Sequence, residues 1–102
     1  METKEIEIQW NGSPAQVKLK QFTYGIRNEL LEQCTETTVV GDKPHVQLNV
    51  RKLKEFALLK GIAEAPFEIN IKGIRELSVT MGDMLYKELD ELNTLTSEKE
   101  ES

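Results

Sequence analysis

Few residues in this 102-residue chain could carry covalent or metal chemistry. There is one cysteine, Cys34, and one histidine, His45. A thiol nucleophile needs a base within hydrogen-bond reach, and these two would stand on neighbouring elements. Cys34, however, continues an apolar run of helical spacing, where a free thiol behaves as a small hydrophobe. His45 falls on the polar side of an alternating segment. Both are read as structural, and no enzyme is expected. A metal site would have to come from carboxylates such as Glu88, Asp90 and Glu91, because soft-ligand sites need several His or Cys. These acids lack the spacing and the glycine of a calcium loop, so a solvated helix face is the expected account. Six glycines, at 12, 25, 41, 61, 73 and 82, are scattered with no G-x-G-x-x-G or G-K-[ST] phosphate loop. No catalytic, cofactor or metal residue is nominated, and no small-molecule substrate is expected.

Charge narrows the partner classes. Arg51, Lys52, Lys54 and Lys60 form a basic cluster, yet the chain has 13 Lys and Arg against 18 Asp and Glu, a net charge of −5. Phosphate backbones are held by clustered cations with stacking aromatics alongside. No aromatic stacking residues flank this cluster, so nucleic acid is not an expected partner. No apolar run approaches the ~20 residues of a membrane helix, and no basic start followed by an apolar stretch suggests a signal peptide. With a single cysteine, the cytoplasm is the expected compartment. Hydrophobic residues at 38% and charged residues at 30% suit one soluble domain, here residues 1–95.

The elements that would position these residues follow from periodicity. Ile6, Ile8 and Trp10 alternate with Glu5, Glu7 and Gln9, the period of a half-buried strand. Asn11-Gly12-Ser13-Pro14 supplies turn chemistry, and Ala15, Val17 and Leu19 then alternate with Gln16, Lys18 and Lys20. Pro14 lacks an N–H, so a turn longer than two residues is expected. Phe22, Ile26, Leu30 and Cys34, spaced by four, predict an amphipathic helix with Thr23 as N-cap. Gly25 weakens its first turn, which suggests close packing there. Thr35 to Val40 is β-branched, Gly41-Asp42-Lys43-Pro44 is a second turn, and Val46, Leu48 and Val50 alternate with polar residues. Residues 51–63 read as a second helix ending before Ala65-Pro66. Phe67, Ile69 and Ile71 suggest a short extended piece, and Ile74 to Leu77 a single helical turn. Met81, Leu85, Leu89 and Leu92 predict a last helix to about Leu95. Residues 96–102, acidic and without apolar side chains, are expected to be a disordered tail. The order is β-β-α-β-β-α-α, an α+β fold in which two hairpins form a small antiparallel sheet with about three helices.

The stripe on the last helix is the strongest candidate for contact with another protein. Methionines adapt to varied partners, so Met81, Met84, Leu85, Tyr86, Leu89 and Leu92 are nominated as partner-binding residues, either towards another protein or in a homo-oligomer.

Three stretches also resemble a known family. They are Thr23-Tyr24-Gly25-Ile26-Arg27-Asn28-Glu29-Leu30-Leu31, then Ala57-Leu58-Leu59-Lys60-Gly61-Ile62-Ala63-Glu64-Ala65-Pro66-Phe67, then Gly82 to Asn93. In this order they resemble the small tail assembly chaperones of tailed viruses and prophages, over about residues 1–95. The resemblance implies a protein without catalytic residues that coats the hydrophobic tape-measure protein in the host cytoplasm. It would keep that client soluble until tail-tube subunits displace it. The alternative is a generic cytosolic interaction or regulatory module that forms a homo-oligomer.

Overall fold

The computed structural model describes residues 2–95; the expected acidic tail at 96–102 lies outside the described residues. The chain is α+β, with strands β1 (Thr3–Trp10) and β2 (Ser13–Lys20), helix α1 (Tyr24–Cys34), strands β3 (Thr35–Val40) and β4 (Lys43–Leu48), helix α2 (Val50–Gly61), strand β5 (Ile62–Glu64), and helices α3 (Ile71–Arg75) and α4 (Val79–Asn93). None of the described helices is long and apolar enough to cross a membrane.

Both hairpins close through two-residue turns. Trp10 pairs with Ser13 around Asn11 and Gly12, whose φ values of 53° and 82° form a type I′ turn. Val40 pairs with Lys43 around Gly41 and Asp42, with Gly41 at φ 66° in the first position, as a type II′ turn requires. The longer turn expected from Pro14 does not occur. Pro14 pairs with Gln9, one step beyond the turn. At that position an antiparallel ladder points its amides away from the partner strand, so the missing N–H costs no ladder bond. Pro44, opposite Val39, repeats the arrangement.

The two hairpins do not join into one sheet. β2 takes β5 on its second edge, through Lys18–Glu64 and Leu19–Ile62, giving a sheet ordered β1-β2-β5, while β3 and β4 stand as a separate two-stranded ribbon. The second helix therefore ends at Gly61 and not at residue 63. The β-branched Ile62 leaves the helix, its N–H donates to Leu58 O, and the next residues extend as strand. Gly61 sits where a Cβ would lie 2.6 Å from the δ carbons of Leu89, so only glycine lets α2 end against α4. Residues 67–70 form no strand, and Ile71 opens α3, so the single helical turn expected at Ile74 to Leu77 starts three residues earlier and makes a fourth helix. Gly73 accounts for its placement, since a Cβ there would meet Glu68 O at 2.1 Å. Gly25, by contrast, faces open space and marks no close packing. The last helix stops at Asn93, where Thr94 turns left-handed at φ 53°.

Each helix starts on a side-chain cap. The amide N–H groups of Ile26, Lys52, Gly73 and Met81 donate to Thr23, Asn49, Asn70 and Ser78. The core lies between the inner face of the three-stranded sheet and the helices. Val17, Leu19, Leu30, Cys34, Leu53, Ala57, Leu85 and Leu89 are wholly buried there, each large aliphatic contributing about 1.5–3 kcal/mol by leaving water. Asn93 is the one buried polar residue among those described. Its Oδ1 accepts from Phe22 N–H at 2.6 Å and its Nδ2 donates to Lys20 O and Leu89 O at 3.3 Å. It thus ties the β2–α1 link to the end of α4.

Candidate binding surface

The nominated stripe on α4 is turned inward. Leu85 and Leu89 are wholly buried and Tyr86 is nearly so, with Lys54 5.7 Å above its ring. Met81, Met84 and Leu92 are half-buried and pack on the same core. The centre of the stripe is thus spent on holding α4 against α2 and β2. Helical spacing alone cannot distinguish that use from a docking face.

Cys34 and His45 are not brought together. His45 stands opposite Thr38, four strand residues from Cys34, which is about 13 Å at roughly 3.3 Å per residue. Burial raises the Cys34 thiol above its ordinary pKa, and Lys52 only partly offsets this. The thiol is therefore kept protonated, the inert form. The acids of α4 do not converge either: no cluster of three metal-ligating side chains occurs among the described residues. Glu88 instead forms an ion pair with Lys4 of β1. In the basic cluster, Arg51 is 3.8 Å from Glu55, Lys52 3.2 Å from Glu36 and Lys54 3.5 Å from Asp83. Those three cations face carboxylates of the same chain.

Among the described elements, the β3–β4 ribbon is the most exposed hairpin. Of its twelve strand residues only Glu36 is less than exposed. The pairing places Thr35, Thr37 and Val39 on one face with Leu48, Val46 and Pro44, and Glu36, Thr38 and Val40 on the other with Gln47, His45 and Lys43. The first face has no charged side chain. Val39 and Val46 on it are 69% and 67% exposed and Leu48 36%. A two-stranded ribbon is marginal in water without a covering layer, and none of the described elements covers it. Its base is clamped firmly. Asn49 N–H donates to Cys34 O at 2.7 Å, and Asn49 Nδ2 donates to Glu36 Oε2 at 3.0 Å. These contacts, with Lys52 beside it, hold the Glu36 carboxyl below its ordinary pKa.

The alternation of Val46 and Leu48 carries on to Val50, whose side chain lines a groove of about 510 Å³ with Leu58, Ile74, Leu77 and Val79. The groove thus begins two residues beyond the ribbon, at the start of α2. Each cation at the groove's rim faces a carboxylate, with Arg51 and Arg75 sharing Glu55. Arg75 makes a two-pronged contact with Glu55 at 3.0 and 3.1 Å, and Lys54 faces Asp83. The alternation at Val46 and Leu48 was visible in the sequence, but whether anything covers it was not.

Comparison with known proteins finds no matching family model, no matching curated protein and no matching solved structure.

Proposed function

We propose that this chain is a non-enzymatic binding module of the tail assembly chaperone type, which keeps an apolar segment of a client protein soluble. The client expected from the sequence resemblance is the tape-measure protein. The observation that carries the reading is the uncovered, uncharged ribbon face of Thr35, Thr37, Val39, Pro44, Val46 and Leu48, continued by the groove beside Val50. Exposed apolar area of this kind marks interaction sites in soluble proteins. The net charge of −5 would keep a coated client in solution, and several weakly held copies along one client would bind by avidity and still be displaceable.

This reading moves the docking surface from α4 to the ribbon. Co-expression with the tape-measure protein of the source genome tests it. The client is expected in the soluble fraction with the wild-type chain and in the pellet with Val46→Asp, a substitution on an exposed side chain that leaves the core untouched. A client equally insoluble with and without the wild-type chain overturns it.

A further inference from the structure

We propose that the free edge of β3 pairs with the same edge of a second copy of this chain, antiparallel and centred on Thr37. The pairing concerns the chain alone and does not depend on the identity of a client.

The bond from Asn49 N–H to Cys34 O sets the parity of the ladder. Cys34, Glu36, Thr38 and Val40 direct their backbone groups inward to β4, so Thr35, Thr37 and Val39 direct theirs outward. On the opposite side of the ribbon, the outward positions are Pro44, Val46 and Leu48. Pro44 has no N–H to offer, which is how natural sheets blunt an edge. The edge of β1 is guarded differently, by Lys4, Glu5 and Glu7 within eight residues. β3, Thr-Glu-Thr-Thr-Val-Val, has one charge, no proline and no bulge. Among the described strands of six residues or more, its edge is the one without such a guard.

The proposed two-fold register satisfies both donors and charge. The Thr35 N–H is already spent on Glu32 O at the end of α1. The outward donors left on β3 are the amides of Thr37 and Val39. Centring the pair on Thr37 lets the two Thr37 residues exchange both of their bonds, and each Val39 N–H reach the partner's Thr35 O. Every free donor on the edge is then used, and the spent Thr35 amide is not needed. The same register sets Glu36 opposite Thr38, so no acid meets an acid. Centring on Val39 would instead set Glu36 opposite Asp42, two like charges across the strands. Thr37 opposite Thr37 is itself a favourable cross-strand pair. A two-fold axis normal to the ribbon keeps both apolar faces on one side. The product is a four-stranded sheet with a continuous uncharged face twice the size of the original.

The test uses the full-length chain. Sedimentation over a range of concentrations should show a monomer–dimer equilibrium. Thr37→Pro removes an outward N–H, leaves the bonds to β4 in place, and should abolish the dimer while the circular dichroism spectrum is kept. Under mild oxidation with oxidised glutathione, Thr37→Cys should cross-link to itself. An antiparallel bonded pair holds its Cα atoms about 5.5 Å apart, within disulfide range. Thr38→Cys, on the other face and out of register with itself, should cross-link at least about tenfold more slowly. The wild type, whose only thiol is the buried Cys34, is the blank. A strict monomer at every concentration overturns the proposal. So does a dimer that survives Thr37→Pro, or equal cross-linking at positions 37 and 38. Should Thr37→Pro fail to fold, the cross-linking pair decides alone.

Discussion

The two hairpins of this chain are built alike and used oppositely. Each closes on a two-residue turn with glycine at positive φ, places a proline one step later, and leads into a helix with a side-chain cap. In β1–β2 the apolar face of Ile8, Val17 and Leu19 is buried under helices, and β5 takes up the second edge of β2. In β3–β4 the apolar face of Val39, Val46 and Leu48 is left exposed by the described residues. Local turn chemistry and alternation make a hairpin. What decides its role is whether another element comes to lie on it.

The largest contrast should be in stability. Leu19→Ala opens a cavity in the core and should cost about 2–5 kcal/mol. Val46→Ala, on an exposed position, should stay within about 0.5 kcal/mol. Urea unfolding of both variants measures the difference, and equal costs would mean that the ribbon face is covered after all.

The next contrast concerns glycine. Gly61→Ala pushes a Cβ into the wholly buried Leu89 and should cost about 1–3 kcal/mol. Gly25→Ala points into open space within α1 and should raise stability by up to about 1 kcal/mol. Thermal melts of the two variants should therefore shift in opposite directions.

The smallest effect should appear in acid, at the clamp on the ribbon. Hydrogen bonding from Asn49 and then Lys52 lowers the Glu36 pKa from its ordinary 4.5. A carboxyl with a depressed folded pKa stabilises fully above its unfolded value and loses that contribution as pH falls through the folded one. Amide exchange across residues 35–48, corrected for intrinsic rates, should show the ribbon loosening below about pH 4, while the β1–β2 ladder holds. Glu36→Gln should remove that pH dependence.

Much of this architecture was legible from residue patterns. Alternation around Asn11-Gly12 and Gly41-Asp42 placed both hairpins, and Thr23 before an i, i+4 apolar run placed the start of α1. Three features were hidden for physical reasons. Ile62-Ala63-Glu64 continues the apolar pattern of α2, and its strand character comes from pairing with Lys18 and Leu19, far away in sequence. The α4 stripe of Leu85 and Leu89 has the spacing of a core face and of a docking face alike, and only its neighbours α2 and β2 decide between them. The ribbon face has the same alternation as the buried sheet, so its exposure is a property of tertiary packing that no local pattern encodes.

Hydrogen exchange on the chain with the proposed client, a co-expressed tape-measure protein, addresses the role of the ribbon most directly. Relative to the free chain, amides of residues 35–48 should gain protection while those of α4 at Leu85 and Leu89 stay unchanged. Protection gained along α4, with the ribbon exchanging as fast as in the free chain, would contradict the account.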